Sequence, residues 1–175
     1  DKTGTITQGQ MTIESLWTLD QKNQTVKKFE EQSTRDKLML QVLSYCNNNK
    51  GATEQAMTDF ISQYNYKVDI SDRVIEHEYS SDYKRMTVIR SNASEDDLTS
   101  YSKGAGEVLL PLCDTLYDSE AGSTKKLTKT VRQEILNTIE DYASKGLRVL
   151  LLAVRNFDLN HKVGDRELDE QNLTF

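Results

Sequence analysis

Cysteine and histidine are scarce in these 175 residues, with two of each, and there is a single proline. Cys46 and Cys113 have neither a CxxC partner nor a histidine at ligand spacing, which argues against a zinc site or a disulfide framework. Reduced thiols in a cytosolic domain are the expectation. His77 and His161 stand equally alone in the sequence, so each is expected to be a surface or partly packed side chain rather than a catalytic one. No apolar run approaches the roughly 20 residues that a membrane-spanning helix needs, and nothing resembles a signal peptide. The chain is therefore expected to be soluble and not membrane-inserted. Internal repeats, low-complexity tracts and Gly/Ser linkers are missing as well. The net charge of -6 is spread over interleaved acidic and basic residues. No basic face is available for nucleic acid or anionic lipid, and neither is an expected partner.

What is present is enough for a core. The length fits one domain of ordinary size. The hydrophobic fraction of 36% is low, yet clusters such as Val149 to Val154 argue against wholesale disorder. "MTIESLWTL" predicts a strand, with "QTVKKFE" as its hairpin partner across a turn at Asp20 to Gln24. "TRDKLMLQVLSYC" and "ATEQAMTDFISQY" carry apolar residues at helical spacing, Leu38, Val42, Leu43 and Cys46 in the first and Ala56, Phe60, Ile61 and Tyr64 in the second. The polar "NNNKG" joins them. "RVIEHEY", "KRMTVIR" and "LTSYSK" read as successive strands of an antiparallel sheet. A short helix from about Ala105 to Cys113 tolerates Pro111 only as a kink or late turn. A long helix is predicted from about Thr124 to Lys145, ended by Gly146, and "LRVLLLAVR" as a buried strand.

The opening "DKTGTIT" carries chemistry. The chain does not begin with Met, and it is expected to be a piece of a longer protein. A carboxylate such as Asp1 can attack the terminal phosphate of ATP to form an aspartyl phosphate, provided that nearby groups neutralise the charge on the transferred oxygens. Lys2 offers a cation. Thr3, Gly4 and Thr5 form a tight loop whose amides and hydroxyls can hold phosphate oxygens.

Those seven residues resemble the phosphorylation motif of P-type ATPases, and further stretches resemble the nucleotide-binding domain of the type II cation pumps, in the same order. "GATEQAM" is similar to a TEGAL-type segment and "EYSSDYKRMTVI" to an F-S-x-x-x-K-x-M-S-V strand pair. "SKGAGEVLL" is similar to a KGA-P-E turn, "KGLRVLLLAVR" to a GLR strand and "NLTF" to the hinge returning to the phosphorylation domain. The resemblance implies an α+β fold, an antiparallel β-sheet flanked by helices. It implies a phosphorylation loop and first hinge over 1–8, the nucleotide-binding domain over 9–172, and the start of the second hinge over 173–175.

It also implies roles. Tyr79 stands where the family has an adenine-stacking phenylalanine, and stacking survives the change. Glu54 matches the carboxylate at the adenine edge, and Lys84 and Lys103 match two pocket lysines, with Gly104 beside Lys103. A buried ammonium needs an anionic partner, which Glu54 or a ligand could supply. Arg148 matches the arginine that reaches the phosphates, a target suited to its fork. Asp1 is the implied phosphorylated nucleophile, assisted by Lys2 and Thr3, with Mg2+ on Asp1 and near Thr3. Two departures are expected to loosen the site: Ser81, where many of these pumps have a second arginine, and Gly106, where proline usually follows KGA.

The expected function is thus that of the ATP-binding domain of a cation-transporting P-type ATPase, a cytoplasmic part of an integral membrane protein. Its implied partners are ATP and the phosphorylation and actuator domains of the parent chain. Ca2+ is the favoured cargo, with Na+ and Mg2+ as alternatives. Alone, the piece is expected to bind nucleotide without turnover. Two other classes compete. A non-catalytic module of the same fold draws on Ser81 and Gly106, and a haloacid-dehalogenase-type phosphatase fragment would share the nucleophile loop. That loop carries a second aspartate where this chain has Lys2-Thr3, which counts against it.

Overall fold

The computed structural model describes residues 11–19, 24 and 25, 33–93, 97–118 and 121–175. The chain divides into two compact units, residues 1–70 and 71–175, where the length suggested one.

In the first unit, β1 (Ser15–Leu16) pairs antiparallel with β2 (Gln24–Thr25). This keeps the predicted hairpin pairing with a first strand shorter than "MTIESLWTL", and residues 26–30 of its partner lie outside the described residues. The predicted turn at 20–24 lies mostly outside the described residues. Helix α1 (Thr34–Tyr45) begins at Ser33, whose hydroxyl accepts from the Asp36 amide at 3.0 Å, satisfying one of the free donors at a helix start. Helix α2 (Gly51–Ser62) follows a turn in which Asn49 (φ 55°) and Gly51 (φ 75°) take the left-handed conformation. Asn and Gly tolerate it best. The two helices pack together and bury Leu40, Leu43 and Cys46 from the first side, and Met57, Phe60 and Ile61 from the second.

The second unit is built on a seven-stranded sheet. Its elements are β3 (Arg73–His77), β4 (Arg85–Ser91), β5 (Leu98–Gly104), α3 (Gly106–Leu109) and a 3-10 turn (Leu110–Leu112). They continue with β6 (Cys113–Asp118), β7 (Ser123–Lys126), α4 (Lys129–Ser144), β8 (Leu151–Asn156), α5 (Arg166–Asp169) and β9 (Leu173–Thr174). The strand order is β3-β4-β5-β8-β9-β6-β7, and every pair is antiparallel except β6 with β9. The fold is therefore α+β with a mostly antiparallel sheet, as the sequence led us to expect.

Several boundaries differ from expectation. The long helix starts at Lys129, not near Thr124, because Thr128 caps it by accepting from the Val131 amide, and residues 123–126 pair with β6 instead. The strand read from "LRVLLLAVR" begins only at Leu151, and Leu151 and Ala153 alternate with less buried neighbours. Pro111 falls in the 3-10 turn, where its missing N–H costs nothing. Arg132 of α4 donates to the carbonyls of Leu110 and Cys113 at 2.7 and 2.8 Å, tying that helix to the turn. Both cysteines are free and buried, and burial pushes the Cys113 thiol up to about 12, so it stays protonated.

Candidate functional site

The sheet register gathers the second unit's candidate residues. Thr87 pairs with His77, Arg85 with Gly104, and Gly104 with Leu151, so β3, β4, β5 and β8 are aligned at one end of the sheet. Tyr79 lies two residues beyond the end of β3, and Lys84 immediately before β4. Lys103 and Gly104 close β5, while Arg148 lies three residues before β8 begins. Segments far apart in sequence thus begin or finish at the same end of the sheet, because antiparallel pairing puts chain exits beside chain entries.

Burial separates them. Tyr79 is 60% exposed and outside any strand, so its ring is not core packing, whereas Lys103 is only 5% exposed. Lys84 adopts φ 52° and its ammonium lies 3.2 Å from Glu107 Oε1, with both side chains more than half exposed. Such a surface pair contributes little and can yield to a competing anion. Arg148 is exposed.

Two glycines are fixed by contact. A Cβ on Gly104 would meet Arg85 Cβ at 2.6 Å and the Lys84 carbonyl oxygen at 2.8 Å, mostly backbone-linked atoms that cannot step aside. On Gly106 it would run into Ile139 Cδ1. Gly106 is buried and opens α3 directly after Ala105.

The β3–β4 connection is ordered from within. The Lys84 amide donates to the Ser80 carbonyl at 2.8 Å, the Tyr83 amide donates to Ser80 Oγ at 3.1 Å, and the Ala105 amide donates to the Lys84 carbonyl at 3.0 Å. Ser81 is exposed on this connection.

Glu54 belongs to the first unit. Its Oε2 accepts from the amides of Asn48 and Lys50 at 2.9 and 2.8 Å, which satisfies donors at the start of α2. Asp1, Lys2 and Thr3 lie outside the described residues.

Sequence reading missed the buried polar groups beneath the β3–β4 end. Asp169, fully buried, accepts from the imidazoles of His77 and His161 and from the Gly164 amide, each at 2.8 Å. The two histidines that looked isolated thus meet on one carboxylate. Burial alone would raise the Asp169 carboxyl, but the hydrogen bonds from His161, His77 and Gly164 outweigh it together and hold it below the usual carboxylate range. Both imidazole Nε2 atoms are engaged with this carboxylate, and among the described residues no His, Cys, Asp and Glu side chains are grouped as metal ligands. Next to it, Glu170 is 1% exposed and accepts from Thr87 Oγ1 at 2.6 Å and from Arg166 Nε. The only hint in the sequence was charge density over 165–170.

The mostly antiparallel α+β sheet is that of a cytoplasmic domain of the ion-pumping ATPases. The chain belongs to the P-type ATPase family, for its residues 46–175 match the family model described as P-type ATPase, cytoplasmic domain N. Along its full length it is similar to calcium-transporting ATPase 1 of Bacillus cereus, at 27% identity and over 20% of that protein. It is similar over its full length to the sodium/potassium exporting P-type ATPase cta3 of Schizosaccharomyces pombe, at 30% identity and over 21% of that protein. Over 90% of its length it matches putative calcium-transporting ATPase 11, plasma membrane-type, of Arabidopsis thaliana at 28% identity, covering 17% of that protein. The chain spans about a fifth of the length of these relatives. Among the described residues no helix is long and apolar enough to cross a membrane.

Proposed function

We infer that the chain binds ATP for a cation-transporting P-type ATPase and presents its γ-phosphate to Asp1. The observation that supports this reading is the strand register: Lys84 and Lys103–Gly104 lie at the aligned ends of β4 and β5, the exposed Tyr79 follows β3 by two residues and Arg148 precedes β8 by three, and the backbone leaves no room for a side chain at Gly104. That donor set suits ATP. A flat ring stacks on adenine, and a buried ammonium flanked by exposed cations suits a polyphosphate chain.

Each residue has a distinct task. Tyr79 fixes the base, Lys103 supplies a desolvated positive charge near the purine and ribose, and Arg148 and Lys84 hold the phosphates. Delivery to Asp1 in line is then a matter of positioning. Mg2+, which Asp1 and the backbone near Thr3 would hold, supplies charge neutralisation on the transferred phosphoryl group when bound. The parent protein is a hydrolase coupled to ion movement across a membrane, with this domain on the cytoplasmic side and the phosphorylation and actuator domains as its partners. Two of the relatives named above are called calcium-transporting, so Ca2+ is the favoured ion.

Calorimetry on this chain tests the reading. ATP and ADP are expected to bind with modest affinities within about tenfold of each other, because the adenine contacts are common to both. Inorganic phosphate should give no resolvable heat, and no steady hydrolysis of ATP should follow. Silence with both nucleotides would instead favour a non-catalytic module of this fold.

A further inference from the structure

Arg166 is used twice over by a connection more than 80 residues away. Its Nη1 donates to the Glu78 carbonyl at 2.9 Å and its Nη2 to the Arg85 carbonyl at 2.8 Å, so one planar group bridges the exit of β3 and the start of β4. The guanidinium carbon lies 3.9 Å from the centroid of the Tyr83 ring, and the Arg85 guanidinium lies 5.0 Å from the same centroid. The third edge of the Arg166 fork is held by Glu170 Oε1. Glu170 is itself fixed by Thr87 of β4, while Arg85 Nε approaches its Oε2 to 3.2 Å without the alignment of a hydrogen bond.

We propose that Arg166, anchored by the buried Glu170, is a positioning residue for nucleotide recognition: it clamps the Glu78–Arg85 connection so that Tyr79 is preset to stack on the base. This rests on the reading of Tyr79 and Lys103 as a nucleotide site. The chemistry requires arginine. Only a fork with donors in one plane reaches two carbonyls and a carboxylate while stacking on an aromatic face, and a lysine ammonium offers neither the plane nor the spacing. An exposed connection without such a clamp would lose freedom when ligand binds, and presetting it removes that cost from the binding step.

A double-mutant cycle on the 175-residue chain, read by ATP calorimetry and thermal melting, tests the proposal. Arg166→Lys is expected to weaken ATP binding about fivefold or more while the chain still melts cooperatively, and to cost less than about twofold once Tyr79→Ala is present. A purely structural Arg166 would change melting but not couple to Tyr79. Equal losses with and without Tyr79, or an affinity within about twofold of the unaltered chain, would overturn the clamp. Should Arg166→Lys fail to fold, Tyr83→Leu, which removes the stacked ring and keeps the ion pair, is run through the same cycle with the same expected coupling. If the unaltered chain binds no ATP, the nucleotide reading itself fails and the clamp falls with it. Binding by the unaltered chain with additive variants removes the clamp alone.

Discussion

Replacing Lys103 by Ala is expected to weaken ATP binding by about 10- to 100-fold, the range that hydrogen bonds to a charged group in a desolvated setting support. The side chain is 5% exposed, so its charge acts with little competition from water. The fold should persist, because β5 is paired along its length with β4 on one side and β8 on the other through the backbone. Loss of the aliphatic stem should cost about 1–2 kcal/mol and no more. Lys103→Met separates the two contributions, since it keeps the stem and removes the charge. Calorimetry of both variants beside thermal melts is the check. A dissociation constant unchanged in Lys103→Ala would take this residue out of the site.

Asp169→Ala is expected to destabilise the second unit by about 3 kcal/mol at neutral pH, the scale set by removing one partner from a buried polar cluster. Three donors lose their acceptor: His77 at the end of β3, His161, and the Gly164 amide. The neighbouring backbone keeps some support. Arg155 still donates to the carbonyls of Leu168, Asp169 and Gln171, and its guanidinium lies over Phe157, which stacks on His161.

The same residue predicts an acid limb. Its carboxyl is held in the fold below its ordinary value of 3.8. The unfolded chain therefore takes up the proton first as pH falls, and the stabilisation, full above about pH 5, is lost downward through the lowered folded value. Urea midpoints between pH 7 and pH 3 should drop more steeply for the unaltered chain than for Asp169→Ala. Parallel curves would show that this carboxylate is not a source of acid sensitivity.

How much of this could be read from the residues follows from the range of each interaction. Strands β3, β4 and β5 were legible because β-branched and apolar residues cluster between turn residues, and α1 and α2 because apolar positions recur at helical spacing. Strand β7 was not. Its four residues, Ser123–Lys126, are all exposed, so no burial pattern marks them, and pairing with β6 decides their conformation. The parallel pairing of β9 with β6 joins Leu173 to Cys113 and leaves no local trace. Lys103 and Tyr79 stand out as candidates only through motif resemblance; composition alone would make that lysine a solvated one, whereas it is buried. Arg166 and Asp169 act on residues about 80 to 90 positions away. Contacts of that span are set by topology, and a single sequence shows only that the partners are charged.

On the proposed function, the end of the sheet at Lys84 and Gly104 receives a purine nucleotide. Amide chemical shifts followed during addition of ATP, ADP and inorganic phosphate test it most directly. Both nucleotides are expected to shift a common set around Tyr79, Lys84, Gly104 and Arg148, with ATP adding changes near Arg148, while phosphate alone leaves this set in place. Nucleotide-induced shifts confined to other regions, or the same shifts produced by phosphate, would contradict it.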